Sequence, residues 1–239
     1  MTNENPVLVW SKERPEPARR APRVDRIVAT ALTLADTEGL DAVSMRRVAT
    51  ELGSGTASLY RYITDRGELL DLMIDAAQAE IPPPALTGDA RADLAAVAHH
   101  FRDLLLRHHW LGRVLSGRPA LGPNALRRFD IAMAAALELT DDITLAANIV
   151  DTVLSYVAGA AIQELSEIRA RRRTGLTEDQ WREAVGPYLR TAIATGDYPH
   201  FARRIRDAED PTPDQTFAFG LSCVLEGVLA TARAASDQA

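Results

Sequence analysis

The chain of 239 residues holds one cysteine, Cys223. A lone thiol excludes an intrachain disulfide framework and fits a reducing compartment, so a cytoplasmic protein is expected. Aromatic residues are only 5% of the chain. Valine and isoleucine are modest beside abundant alanine, a balance that favours helices over strands. No apolar run approaches membrane-spanning length, and the first residues lack the apolar stretch of a secretion signal, so no membrane partner is expected. A phosphate loop, a dinucleotide fingerprint, a nucleophile elbow and a paired-carboxylate motif are also missing, which argues against an enzyme and implies no cofactor. His99, His100, His108 and His109 have no spacing that fixes a tetrahedral or octahedral site, so no metal is expected.

What is present suits a helical protein with a substantial core, since 46% of residues are hydrophobic and 25% charged. A net charge of −6, taken alone, argues against a nucleic-acid partner. Its distribution weakens that objection: residues 1–23 carry +2, residues 24–66 carry −1, and the remainder holds −7. A near-neutral reading unit suggests specific contacts made by a dimer rather than a broad electrostatic grip.

The segment SMRRVATELGSGTASLYRYITDR, residues 44–66, reads as two short helices joined by a tight turn. Ser44 can cap the first, whose apolar side carries Val48, Ala49 and Leu52. Gly53 permits positive φ in the turn. The second opens near Thr56 and sets Leu59 and Tyr62 on one side. A small residue at 49, glycine at 53 and an apolar residue at 59 is the sequence form of a helix-turn-helix. Its outward side chains Thr56, Ser58, Tyr60 and Arg61 suit a DNA groove. Arg61 can read guanine or hold a phosphate, and the sequence does not choose between them. An ordinary helical hairpin is the competing reading.

Taken in order, residues 1–22 are proline-rich and form a flexible basic arm that ends in the cluster Arg14, Arg19, Arg20 and Arg23. A helix over about 24–38 follows, with Ile27, Val28, Ala31, Leu34 and Ala35 as its stripe and Gly39 as its stop. Asp65 and Glu68 open a connecting helix that Pro82-Pro83-Pro84 ends. The reading unit with this helix spans residues 23–80, and residues 81–239 form a larger helical domain. There, helices are expected over about 89–108, at 110–116, through Leu126 to Leu137, over 143–172, from Thr177 and over 214–235. Pro187 predicts a kink or break, and residues 196–214 read as a polar loop with at most one helical turn. The 143–172 and 214–235 helices are apolar on more than their own core needs, which predicts a four-helix interface in a homodimer; burial inside a monomeric bundle is the alternative. Polar and aromatic side chains on apolar faces, namely Phe101, His108, Trp110, Phe129, Met133, Tyr156 and Gln163, are candidates for lining a small-molecule site.

Residues 52–73, LGSGTASLYRYITDRGELLDLM, resemble the N-terminal domain of the tetracycline-repressor family, in the Leu59-Tyr60 pair, Asp65 and Glu68-Leu69-Leu70. Residues 110–130, WLGRVLSGRPALGPNALRRFD, resemble the sensing domain of the subgroup nearer the tetracycline repressors themselves. The resemblance implies an all-α fold, with an N-terminal three-helix helix-turn-helix domain joined to a larger ligand-binding and dimerisation domain. It also implies a homodimer that binds palindromic double-stranded operator DNA and is released by a small hydrophobic or amphipathic effector. By position, the DNA-facing residues are Arg46, Thr56, Ala57, Ser58, Tyr60, Arg61, Tyr62 and Arg66. Serine at 54, where the family is usually apolar, and tyrosine at 62, where it often has histidine, leave the operator sequence open. A dimeric scaffold that has lost operator recognition is the alternative function.

Overall fold

The computed structural model describes residues 9–11, 24–114 and 121–237. The arginine cluster expected in the basic arm lies outside them. The described residues form an all-α structure of ten helices. α1 (Val24–Glu38) buries Ile27, Val28, Ala31, Leu34 and Ala35, as the spacing predicts. It stops at Gly39, whose φ of 89° gives it a backbone conformation that other residues rarely adopt. α2 (Met45–Glu51) starts where the Ser44 hydroxyl accepts the Arg47 N–H. α3 (Thr56–Tyr60) and α4 (Arg66–Ala79) complete the first unit around Leu59, Ile63, Leu69 and Met73, none of which reaches solvent.

The larger unit is built on α7 (Ile143–Thr174), which packs against α5 (Ala90–Arg107), α6 (Pro123–Leu137) and α10 (Pro213–Ser236). α4 lies against both α1 and α6, so it joins the two halves through packed surfaces. Asp142 caps α7, and Gly175, with φ of 72°, ends it. A Thr177–Gln180 capping box starts α8 (Glu178–Ala194), and a Thr212–Gln215 box starts α10.

Several expectations need correction. The arm is not wholly loose: Val9–Ser11 forms a 3-10 turn against α4, with Val9 buried, because an apolar cluster outweighs the neighbouring prolines. Trp110 does not open a regular helix; a 3-10 turn over Leu111–Arg113 is described there. α8 runs unbroken through Pro187. Residues 196–214 contain the nine-residue helix α9 (Pro199–Asp207), which Pro199 starts from its first position, where its fixed φ suits a helix. α6 packs through Ala132, Ala135 and Ala136, leaving the larger Leu126 and Phe129 about half exposed. The expectation about membrane-spanning length also fails. Residues 143–171 and α10 are long and apolar enough to cross a membrane, because alanine-rich helices with few charges pass that test without an unbroken bulky run.

α4 and α6 meet closely where Gly122 faces Asp75. Asp75 accepts the backbone N–H groups of Asn124 and Ala125 and the Asn124 side-chain amide, at 2.8–3.1 Å, and so caps α6 from another helix. A Cβ at position 122 would stand 2.2 Å from the Asp75 carboxylate. Gly122→Ala is therefore expected to lower unfolding stability by about 1–2 kcal/mol through loss of this cap, read from the urea midpoint.

Candidate nucleic-acid interface and its link to the sensor

α2 and α3 cross with Ala49 and Leu59 buried between them, and Gly53, at φ 63°, makes the turn. The crossing exposes the other side of α3. Ala57, Tyr60 and Arg61 are exposed, Thr56 and Ser58 half-buried, and Arg46 exposed on α2. Tyr62 lies just past α3, half-buried and packed on the core. Arg46 and Arg61 have no carboxylate partner among the described residues, whereas Arg47 is held by Glu38 at 2.7 Å and Glu51 at 2.9 Å. Cations without a carboxylate partner among the described residues, together with the short hydroxyls of α3, suit contact with phosphates and base edges.

Arg66 is placed differently. Its guanidinium donates to the carbonyls of Val43 and Leu40, each at 3.0 Å, and clamps α4 to the turn before α2. Asp65 caps α4 by accepting the Glu68 N–H, while Glu68 reaches back to the Thr64 N–H and hydroxyl. Two of the candidates for the small-molecule site also have structural partners in the reading unit. His108 is buried at the end of α5, and its Nδ1 donates to Asp36 Oδ1 of α1 at 2.9 Å. Trp110 Nε1 donates to the same oxygen at 2.8 Å. His108 Nε2 faces Glu80, just beyond α4, at 3.4 Å. Arg113 binds Asp41 through both terminal nitrogens, at 2.8 and 3.2 Å, making a second tie between the halves. Asp36, Asp41, Asp75 and Arg113 carried no signal in the sequence, since such pairs have no fixed spacing.

The remaining candidates are spread over two regions. Phe101 on α5 lies beside Arg128 of α6, and Phe129 and Met133 lie on α6. Tyr156 on α7 donates its hydroxyl to the Phe217 carbonyl of α10 at 2.8 Å, and its ring lies 5.8 Å from that of Phe217. Gln163, with Glu164, Glu167, Glu178 and Phe217, lines an open groove of about 220 Å³ between α7 and α10. Glu164 there is bound to Arg102, which also holds Asp214 and lies over the Phe217 ring. Among the described residues no group of three or more His, Cys, Asp or Glu side chains is arranged to hold a metal ion.

A short two-helix reader fixed to a larger helical body defines a DNA-binding regulator with a sensing domain. Comparison with known proteins identifies the kind. Residues 27–73 match the family described as bacterial regulatory proteins, tetR family, and residues 82–232 match the tetracyclin repressor-like C-terminal domain. The HTH-type transcriptional repressor DrrR1 of Streptomyces coeruleorubidus is 42% identical over 229 residues, covering 92% of this chain and 83% of that one. The tetracycline repressor protein class A from transposon 1721 of Escherichia coli is 27% identical over 84% of this chain and 88% of its own. Among solved structures, ActR of Streptomyces coelicolor in complex with actinorhodin superposes with a TM-score of 0.74 at 33% identity, over 88% of this chain and 98% of its own. The same protein has been solved with (S)-DNPA and in its apo form. The chain belongs to the tetracycline-repressor family and is a ligand-responsive transcriptional regulator. Members of that family bind DNA as dimers and respond to small-molecule effectors, and they are not enzymes.

Because Arg66 is committed to backbone carbonyls, Arg66→Ala is expected to lower stability by about 1–2 kcal/mol. Circular-dichroism melting checks this, and an unchanged melting temperature would contradict the clamp.

Proposed function

We propose that the chain is a repressor that occupies palindromic operator DNA as a homodimer and is released by a small hydrophobic or amphipathic effector. The observation that carries the reading is on α2 and α3, where Arg46 and Arg61 have no acidic partner among the described residues while Arg47, next to Arg46, is paired with Glu38 and Glu51. On that face Thr56 and Ser58 stand near the start of α3 and meet base edges. Ala57 permits close approach to the bases, and Arg46, Tyr60 and Tyr62 hold phosphates. Arg61 serves either role. Arg66 acts indirectly, by holding α4 against the turn that precedes α2. Residues 1–22 act as an arm, 23–80 as the reading unit and 81–239 as the sensing and dimerisation domain.

Dimerisation through the 143–172 and 214–235 helices follows from their uncovered apolar surface. Only 33% of the apolar window in α7 and 28% of that in α10 are buried within one chain. Phe219 on α10 is 75% exposed. α8 and α9 bury no residue at all, leaving Trp181, Tyr188, Phe201 and Ile205 exposed as well. A second subunit covers such a surface in water, and a membrane partner is not invoked. Two copies also place two reading helices one DNA turn apart.

The effector is placed on the α5–α6 side, where Phe101, Phe129 and Met133 supply apolar walls. Tyr156 and Gln163 flank the groove toward α10, and His108 and Trp110 connect the site to Asp36. ActR binds actinorhodin and (S)-DNPA, and an effector of comparable size is proposed here. Occupancy that shifts α5 or α6 acts on Asp36, Asp41 and Asp75, and so on the spacing of the two readers.

Purified protein incubated with genomic fragments should select specific DNA and bind it as a dimer. Arg61→Ala and Thr56→Ala are each expected to weaken that binding by about ten-fold or more, with unchanged melting temperature. Selection of no fragment by the folded protein would favour the scaffold function.

A further inference from the structure

Among the described arginines, Arg47, Arg102 and Arg128 are the ones that are not exposed. Arg47 and Arg102 each hold two carboxylates. Arg128, on α6, holds none among the described residues. Its Nη1 donates to His100 Nδ1 at 2.7 Å, and its guanidinium carbon lies 5.8 Å from the centre of the Phe101 ring. His100 is a neutral partner in this arrangement. Its Nε2 donates to the Ile81 carbonyl at 3.0 Å, which leaves Nδ1 to accept. Burial, then the Arg128 charge, lowers the His100 pKa below its ordinary value and keeps the ring neutral. Burial also pulls Arg128 down to about 10, so the guanidinium stays charged at neutral pH without an anion to balance it.

Among the described residues this partly covered cation has a neutral imidazole and a ring face beside it and no carboxylate; that is costly, and a structural role would normally supply a carboxylate. The surroundings instead suit an incoming acid. The guanidinium fork has donors to spare for a carboxylate, and the Phe101 face can take an aromatic ring. At 100° per residue, Arg128 shares the buried side of α6 with Ala132 and Ala135, which turns it toward His100 and Phe101 of α5 and away from Leu126 and Met133.

We propose that Arg128, with His100 and Phe101, receives the carboxylate of an aromatic acid and so sets the effector's chemical class. This rests on the regulator function proposed above and names the ligand group that its sensor recognises. The position links binding to DNA release. His100 also grips the Ile81 carbonyl just beyond α4, so an anion that draws Arg128 away from the imidazole changes the contact holding the end of the connecting helix.

The test uses the full chain and a matched pair of probes, 2-naphthoate and its neutral amide 2-naphthamide, titrated calorimetrically. The wild type is expected to bind naphthoate at least ten-fold more tightly than the amide. Arg128→Gln should erase that difference, naphthoate binding falling by at least ten-fold and the amide's by much less. Arg128→Lys, which keeps the charge without the fork, should retain part of the preference and serves if the glutamine variant does not fold. Equal binding of both probes by the wild type, no naphthoate binding, or a preference that survives Arg128→Gln would each overturn the proposal. DNA binding measured on the same samples separates the two levels: its presence without a charge preference removes this inference alone, and its absence removes the regulator function as well.

Discussion

The reading helix α3 has five residues, and no helix that short is stable in water by itself. Its position must come from outside. Leu59 supplies the anchor, with no exposure, in the notch left by Ala49. Gly53 fixes the angle from α2, and Ile63, immediately after the helix, is equally buried. Arg66 then ties the next helix to the carbonyls of residues 40 and 43. The candidate DNA-facing surface has few contacts of its own and is thus held by groups bound into the fold.

The same economy governs the junction with the larger unit. Three carboxylates of the first four helices and their turns reach across it: Asp36 to His108 and Trp110, Asp41 to Arg113, and Asp75 to the start of α6. Each tie is directional and depends on geometry at the 3 Å scale, whereas apolar packing tolerates sliding. A small rearrangement of α5 or α6 therefore exchanges or breaks specific bonds. This gives a packed helical protein a discrete response to a small ligand. In the proposed dimer, the uncovered faces of α7 and α10 supply the other requirement, a surface on which a second copy can be held.

The reading unit was legible because its signals are local. A serine cap, a glycine at positive φ, an aspartate cap and a 3.6-residue stripe all act within a few positions. The expected α1, α2, α3 and α4 match their observed places closely for that reason. The junction was not legible. Asp36 and His108 are 72 positions apart, and a carboxylate on a helix surface looks the same whether it faces water or another domain. His108 and Trp110 were read as candidates for a ligand site from their place on an apolar face, and the structure gives each a hydrogen bond to the reading unit. The buried side of α6 was not legible: close approach to α7 and α4 selects its alanines, while the larger Leu126 and Phe129 stay about half exposed. Helix α9 was taken for loop because prolines and charges mark a turn by composition, while Phe201 and Ile205, one turn apart, share an apolar edge. Arg128 went unremarked because its significance lies in a missing partner, which only coordinates reveal.

In the proposed dimer, the carboxylate ties across the junction set the placement of the two reading helices. The most direct test is the distance between spin labels at Ala29→Cys on the two α1 helices of a dimer, in a Cys223→Ser background, with and without Asp36→Ala. The account predicts one narrow distance on bound DNA, compatible with readers about 34–36 Å apart, and a broad or shifted distribution when Asp36 is removed. An identical narrow distance in both proteins, free and on DNA, would contradict it.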